Sequence, residues 1–293
     1  MVASDPGPVT RSSSAAFEFV RELAMALSGG AIELPSYPEV AERVQRMLCD
    51  QDANVERVVR VLGAEPVLAT RVLKLANSAA MNRTGRSILD LRNAVTRLGF
   101  DALRTTVISF AMAQLRQVQD YRGIERQLNA LWQQSVWMSA LSFVLARRGG
   151  RFNPDTAMLA GLVEGIGRLY VLTRASRHPV LFGDAAMYQS IVRDWQANIA
   201  RAVLENWQVA DEIITAVHAS ESAGDDERST LTLADVLVCA AILFSCKEAP
   251  DMLEIKLSAS RSAQRLGLSG PLAETLLSES TTEIAALREA LAQ

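Results

Sequence analysis

The feature that most restricts the fold is the segment 155–172, DTAMLAGLVEGIGRLYVL. Its spacing predicts an α-helix that is apolar on nearly every side, and such a helix lies in the middle of a bundle with other helices around it. Asp155 is the candidate N-cap, because its carboxylate can accept the free N–H groups of the first turn. One charged residue, Glu164, interrupts the apolar run. Whether Glu164 is a functional group or a satisfied core residue is the main question that the sequence raises.

The same segment contains three glycines, Gly161, Gly165 and Gly167. Each weakens a helix by about 1 kcal/mol relative to Ala. Such residues are tolerated where packing or a close approach of another backbone compensates, so we expect neighbouring helices to lie close to this one.

Composition excludes several classes of protein. A chain of 293 residues with 49% hydrophobic content can bury a substantial core, as one large domain or two smaller ones. The net charge of −3 gives no general attraction to nucleic acid or to an anionic membrane. We expect no apolar run long enough to span a bilayer and no signal peptide, so the predicted location is cytoplasmic. With three scattered Cys and two His, a zinc site, a disulfide framework and a His-rich metal site are not expected.

The rest of the chain alternates helical periodicity with capping and stop signals, and strand-like alternation is absent, so the predicted fold class is all-α. A long helix is expected at 124–148, separate helices at 184–194 and 197–207, one at 251–266, and a last pair at 271–279 and 282–292. Residues 1–13 are predicted to be a disordered leader and 14–30 an N-terminal helix. We expect the helices of 251–293 to pack on the helices that precede them.

Several segments, taken together, resemble the HDOD family, the HD-related output domains of bacterial signalling proteins. These are LPSYPEVAERV, AEPVLATRVLKLANSA, SILDLRNAVTRLG, LWQQSVWMSALSFVLA, AGLVEGIGRLYVL, LENWQVADEIITAVHASES and LADVLVCAAIL. The single residues that carry the motif are Pro35, Pro66, Asn77, Ser78, Leu98 and Gly99. The resemblance implies an HDOD domain over 31–250 with the fold of an HD-like multi-helix bundle. Its expected parts are an N-terminal helical sub-bundle at 31–120 and an HD-like sub-bundle at 121–250.

HD-type relatives that are catalytic surround two metal ions with a His on the long helix, a His-Asp pair on the central helix and a later Asp. The resemblance implies that the long-helix His is replaced here by Gln134 or its neighbour Ser135. Glu164-Gly165 stands where the His-Asp pair would be.

Asp235 is the candidate for the later Asp, and His218 resembles a family His near the end of its helix. Glu164, His218 and Asp235 are thus at most three candidate ligands, drawn from three helices. Hydrolysis of this type needs metal ions held by converging imidazoles and carboxylates. We therefore expect no metal, no other cofactor and no catalysis at this pocket.

Each candidate residue also has a structural interpretation. Glu164 could anchor a ligand, but we favour a core carboxylate paired with a nearby Arg, because an unpaired buried charge is costly. His218 could contact a ligand, but we favour a cation that stabilises the last carbonyls at a helix C-terminus. Asn77 and Ser78 could face a partner, although closure of the helix through local backbone bonds is favoured. The Arg residues at 83, 86, 92, 97 and 104 indicate a solvated face.

We expect a non-catalytic regulatory or scaffolding module of bacterial signal transduction that acts through a protein partner. The alternative is a nucleotide- or metal-binding sensor without turnover. A residual HD-type metal phosphohydrolase is third and would require a different alignment at Glu164-Gly165. No nucleic-acid or membrane partner is expected, whereas a small ligand and a homodimer through the C-terminal helices are left open.

Overall fold

A computed structural model describes residues 8–29, 32, 39–50, 53–82, 84–115, 121, 123–222 and 229–292. Within these ranges the secondary structure is helical and contains no strand, so the all-α prediction is confirmed. The helices in chain order are α1 (Pro8–Ser28), α2 (Glu39–Cys49), α3 (Val55–Gly63), α4 (Pro66–Asn77), α5 (Leu91–Leu115), α6 (Glu125–Gly149), α7 (Pro154–Val163), α8 (Ile166–Ala175), α9 (Ala185–Asn206), α10 (Asp211–Glu221), α11 (Leu233–Cys246), α12 (Leu253–Ser258), α13 (Arg261–Leu266), α14 (Gly270–Glu279) and α15 (Thr281–Ala292). Short 3₁₀ helices at Pro179–Gly183 and Pro250–Met252 precede α9 and α12.

The central apolar segment forms two helices, α7 and α8, instead of the single helix that the sequence predicts. The break falls at Glu164 and Gly165, and Gly165 leaves helical geometry with φ −83° and ψ 11°. The N-cap of α7 is Asn153, whose Oδ1 accepts from the N–H of Asp155 at 2.8 Å. The prediction of Asp155 as the cap is therefore wrong, while the predicted burial of the segment is confirmed.

Two glycines of the central segment allow other helices to approach closely. A Cβ on Gly161 would collide with the carbonyl oxygen of Met138 and approach Ser142 Oγ, both on α6. A Cβ on Gly167 would collide with the carbonyl oxygen of Gln196 on α9. The expected close packing is confirmed at both positions, and it fixes α7 and α8 between α6 and α9.

The continuous stretch Pro154–Ala175 has the length and composition of a membrane-spanning helix, contrary to the sequence expectation that no run is long enough. In the structure 83% of its most apolar window is buried inside the bundle. Core helices of folded proteins pass the same test, and the burial assigns this stretch to the core.

Three of the family-motif residues have structural roles in α4 and α5. Pro66 begins α4, and Leu98 is buried. Gly99 has φ 69° and ψ 176°, which produces a sharp bend within α5. Only glycine adopts this conformation without steric cost. The non-helical backbone of Gly99 thus divides α5 into two helical parts, the second of which ends at Leu115.

Asn77, the last residue of α4, ties a long loop back onto the helix. Its Oδ1 accepts from the N–H of Ile88 at 2.8 Å, and its Nδ2 donates to the carbonyls of Ile88 at 2.8 Å and Leu73 at 2.9 Å. Ser78 is the C-cap residue, and its N–H donates to Leu75 O at 3.0 Å. The favoured structural interpretation is confirmed for Asn77. Pro35 and Arg83 lie outside the described residues.

Several helix bounds differ from the prediction. The helix α1 begins at Pro8, inside the segment predicted to be a disordered leader, and residues 1–7 lie outside the described part. A single α9 replaces the two helices expected at 184–194 and 197–207, and α12 and α13 replace the one expected at 251–266. The helices α14 and α15 occur as predicted, and α15 packs against α4, α5 and α6. The division of the chain into sub-bundles stays a prediction. The buried apolar side chains of all these segments form one hydrophobic core, which marks no boundary between sub-bundles.

Candidate functional site

The polar residues at the centre of the bundle meet at Arg168, in the first turn of α8. Its Nη2 donates to Glu164 Oε2 at 2.6 Å, and the two side chains are only 24% and 12% exposed. Gln134 of α6 lies against the same guanidinium. With its amide oriented so that the oxygen faces Arg168, it accepts from Nη1 at 3.2 Å and from Nη2 at 3.3 Å. The prediction that Glu164 pairs with a nearby Arg is confirmed.

The guanidinium of Arg168 also fills the space beside Gly165. A Cβ on Gly165 would lie 3.3 Å from Arg168 Nη2, and the nearest atoms around it all belong to Arg168. This is the position at which the resemblance places the Asp of the metal-binding pair. An internal cation therefore lies directly beside the position from which a carboxylate side chain would extend.

Glu221, the last residue of α10, belongs to the same cluster electrostatically. Neither of its carboxylate oxygens has a hydrogen-bond partner among the described residues. Burial and, to a smaller extent, the negative charge of Glu164 raise the pKa of Glu221 to about 9, while the charge of Arg168 opposes this shift. The group is therefore neutral at pH 7. Sequence analysis missed Glu221, although its position one turn after His218 on the same helix could have drawn attention to it.

His218 does not contact the cluster through its ring. Its Nε2 lies 3.5 Å from Asn198 Oδ1 on α9. Burial, together with the charge of Arg201, lowers the pKa of His218 below its usual value. The lowered pKa disfavours the charged imidazole that the helix-terminal interpretation requires, and that interpretation stays a prediction.

Asp235 makes its hydrogen bonds and its ion pair outside the Arg168 cluster. It is fully buried, its Oδ2 accepts from the N–H of Thr232 at 2.7 Å, and its Oδ1 accepts from Arg265 Nε at 3.0 Å and Nη2 at 2.5 Å. Burial opposes its ionisation, but the hydrogen bonds from Arg265, Thr232 and Ser262 outweigh burial and hold its pKa below the usual value. Asp235 thus caps α11 and joins it to α13, and these contacts do not connect it to Arg168.

The donor set around Arg168 does not fit a divalent metal ion. Within the described ranges, no group of three or more His, Cys, Asp or Glu side chains is arranged to hold one. The two carboxylates of the cluster are Glu164, already paired with Arg168, and Glu221, whose protonated form is favoured. The positively charged guanidinium of Arg168 would repel a metal cation placed between these two carboxylates, because like charges repel.

A groove of about 460 Å³ opens beside the cluster, between α6, α8 and α9. Arg168 lines it together with Leu172, Phe182, Tyr188 and Gln127, and Glu164 and Glu221 do not. Phe182 and Tyr188 form a tilted ring pair with centroids 5.3 Å apart, and burial raises the pKa of Tyr188 to about 12. The volume is that of a small-molecule site, and its charged lining residue is Arg168.

The sequence of this chain matches the family model described as HDOD domain over residues 34–223, which is more than half of the chain. The chain belongs to the HDOD family. Its HD-like, all-α fold accords with this membership. The match extends from the segment before α2 to the end of α10 and therefore includes Gln134, Glu164, Arg168 and Glu221.

Solved structures resemble this HDOD protein over nearly its whole length. A Shewanella amazonensis protein provisionally named a metal-dependent phosphohydrolase is 29% identical, with a TM-score of 0.75 over 95% of this chain and 99% of that one. A Marinobacter aquaeolei protein provisionally named a signal transduction protein is 24% identical, with a TM-score of 0.62 over 96% of this chain and 66% of that one. An uncharacterised Treponema pallidum protein is 24% identical over 213 residues, 67% of this chain. This chain spans 39% of that relative's length.

Proposed function

We propose that this HDOD protein is a non-catalytic regulatory module of bacterial signal transduction, located in the cytoplasm, that acts by binding a protein partner. The observation that carries the proposal is the guanidinium of Arg168, which fills the space beside Gly165 and is held by Glu164 and Gln134. An HD-type hydrolase needs metal ions at this place to activate water and to stabilise phosphoryl oxygens. Here the place is taken by an arginine whose charge Glu164 already balances.

The first experiment measures bound metal. Purified protein is incubated with manganese and iron, dialysed exhaustively and subjected to elemental analysis, and phosphodiester and nucleotide hydrolysis are assayed in parallel. We expect no stoichiometric metal and no turnover. Metal near one equivalent with turnover would overturn the proposal in favour of a residual phosphohydrolase, the activity that the provisional name of the Shewanella protein suggests.

A restored site serves as the positive control for that measurement. The combined variant Gln134→His, Glu164→His, Gly165→Asp and Arg168→Gln returns imidazole and carboxylate donors to the positions that the resemblance implies and removes the internal cation. It is expected to retain metal under the conditions in which the wild type does not. A variant with Arg168→Gln alone separates removal of the cation from restoration of the ligands.

A second candidate function is a ligand sensor without turnover. It is favoured by Glu221, which is buried without a hydrogen-bond partner among the described residues, and by the groove that ends at Arg168. Thermal unfolding with and without AMP and GMP, in wild type and in Arg168→Gln, tests this function. A nucleotide-dependent rise in Tm that is lost in a still-folded Arg168→Gln protein would favour the sensor over the interaction module.

A further inference from the structure

A second groove, of about 400 Å³, lies between α6, α11, α14 and α15 and shares no residue with the Arg168 cluster. Most of its lining is apolar: Trp137 and Leu141 from α6, Leu243 and Phe244 from α11, Leu277 from α14 and Ile284 from α15. The rings of Trp137 and Phe244 lie 6.4 Å apart in a tilted arrangement. An apolar groove with aromatic walls is the kind of surface that receives the side chains of another protein.

Two cations lie over the aromatic walls of this groove. The guanidinium carbon of Arg288 is 3.6 Å from the ring centroid of Trp137, and Lys247 Nζ is 5.1 Å from that of Phe244. In the part of the chain that the structure describes, no carboxylate lies within ion-pair distance of Arg288, and its buried Nε has no acceptor. Burial also lowers the pKa of Arg288. A partly desolvated charge without a counter-ion is costly, and an incoming carboxylate would relieve that cost.

The charge of the groove therefore favours an acidic occupant. Its charged lining residues are Lys247, Arg288 and Glu274, and among the described residues Glu274 forms no ion pair with either cation. Lys247 already has Glu248 at 3.3 Å, on the exposed side. Arg288 is therefore the cation of this groove that has no carboxylate partner among the described residues.

The groove is built before any partner arrives. Arg147 and Arg148, at the end of α6, form ion pairs with Glu283 of α15 and Glu279 of α14. These pairs join α6 to α14 and α15, three of the helices that form its walls, and a hydrogen bond from Ser109 Oγ of α5 to Leu291 O at 2.7 Å also ties α15 to the bundle. A preformed groove loses less conformational entropy on binding than one that must be assembled.

Large apolar side chains are exposed on the same structural elements. Met252, Ile255 and Leu272 are 41%, 58% and 56% exposed. They lie on the 3₁₀ helix Pro250–Met252, on α12 and on α14, which also supply lining residues of the groove. A small metabolite would not cover side chains outside the cavity, whereas a protein segment would.

We propose that this groove docks an acidic amphipathic helix of a partner protein. The helix places bulky apolar side chains against Trp137 and Phe244, and a carboxylate against Arg288. This inference rests on the proposed function, for which it names a surface and the chemistry of the partner. Helices that bind grooves present apolar residues at i, i+3 or i+4, and i+7, and such a helix carries its acid on the flank of that stripe.

The test uses a displayed library of helical peptides of about 16 residues, long enough for roughly four turns. Selections run in parallel on wild type and on Ala285→Trp, which fills the groove at an exposed lining position. The matched control is Ala186→Trp, the same change at an exposed alanine of α9. We expect peptides rich in Asp, Glu and bulky apolar residues to be enriched on wild type and on the control, but not on Ala285→Trp.

Single peptides from the selection then measure the contribution of Arg288. Arg288→Gln is expected to weaken binding about tenfold or more, while Arg288→Lys, which keeps the charge, weakens it less. The Tm of each variant shows that the fold is retained. No groove-dependent enrichment, or enriched peptides without acidic residues, would overturn the inference.

Two further outcomes are distinguishable. If sedimentation equilibrium finds a dimer for wild type and a monomer for Ala285→Trp, the occupant is a second copy of this chain, and the inference of a separate partner is overturned.

The metal measurement is independent of these peptide selections. Absence of metal with failed peptide selection overturns only the docking surface, whereas retained metal with turnover overturns the proposed function and leaves the peptide result as it is.

Discussion

At the scale of single residues, the ion pair of Glu164 and Arg168 differs from the surface pairs in its burial. Removing one partner of a buried pair leaves an uncompensated charge, which costs about 3 kcal/mol or more. We expect Arg168→Gln to lower the free energy of unfolding by about that amount. The double variant Glu164→Gln with Arg168→Gln recovers part of the loss, because no charge is then left unpaired. Urea unfolding of both single variants and of the double variant measures the coupling.

A matched control exists on α2. Glu39 and Arg43 have the same sequence spacing, but their side chains are 82% and 58% exposed. Arg43→Gln is expected to cost less than about 1 kcal/mol, as exposed pairs do. Equal losses of unfolding free energy for Arg43→Gln and Arg168→Gln would show that the central ion pair stabilises the fold no more than an exposed pair does.

Glu221 makes stability depend on pH. In the unfolded chain its carboxyl ionises near its ordinary value of 4.5, whereas in the folded protein it keeps its proton up to about pH 9. Between these values the native state binds more protons than the unfolded state, so stability falls as pH rises. Glu221→Gln removes this term. Its free energy of unfolding relative to wild type is expected to increase by up to about 1.4 kcal/mol per pH unit over that range.

The measurement is urea unfolding at several pH values from 5 to 9, compared between the variant and wild type. Asp155 has its pKa raised to about 6 by burial and by the charge of Asp101, and its contribution cancels in the comparison because it is present in both proteins. Glu212→Gln, an exposed position on the same helix, is the control and should show no such trend. A pH-independent difference between Glu221→Gln and wild type would contradict the burial of Glu221.

The sequence predicts part of this site. An isolated carboxylate in an apolar helix requires a cation, so the pairing of Glu164 follows from solvation alone. The helix break at Glu164 and Gly165 does not follow from the sequence, and the break determines which side chains meet. The sequence signal for Glu221 is its position one turn after His218, whereas its burial depends on the packing of α10 against α7, a contact between helices distant in sequence.

At the scale of elements, close helix packing depends on Gly161. Its Cβ position is taken by the backbone carbonyl of Met138, so Gly161→Ala must push α7 away from α6. We expect the free energy of unfolding to fall by about 1–3 kcal/mol from overpacking, despite the better helix propensity of alanine.

The control is Gly63→Ala at the end of α3, where the nearest atom to the added Cβ, Leu91 Cδ1, would be 4.0 Å away. That change should stay within about 0.5 kcal/mol of wild type. Thermal unfolding of both variants checks the difference, and a stabilised Gly161→Ala would contradict the close approach.

The predicted helices are correct where local signals decide them, and wrong where packing decides. Asn54 caps α3 with its side chain, Pro66 begins α4, and Gly150 ends α6 in left-handed geometry. The break between α7 and α8 and the unbroken α9 depend on tertiary contacts. The approach of Gln196 to Gly167 joins α8 to the middle of α9, and no local sequence pattern encodes that contact.

At the scale of the whole molecule, the C-terminal helices complete the core. Leu276, Ile284, Leu287 and Leu291 are buried within the chain, while Leu272 remains exposed. The sequence left open whether this apolar stripe covers the bundle or meets a second copy. Most of it covers the bundle, because α15 lies on α4, α5 and α6. A homodimer through these helices stays a prediction, for which Leu272 and its exposed neighbours are the available surface.

This arrangement predicts that the C-terminal helices unfold together with the rest of the chain. Leu287 is fully buried, so Leu287→Ala should cost about 2–5 kcal/mol through lost burial and a cavity. Leu272→Ala, at a side chain that is 56% exposed, should change stability by less than about 0.5 kcal/mol. Urea unfolding followed by both far-UV circular dichroism and tryptophan fluorescence should give coincident transitions for wild type and for both variants. If Leu287→Ala produced an early fluorescence transition while the main helical transition stayed in place, α14 and α15 would form a separate unit. The groove that they form with α6 and α11 would then open independently of the bundle.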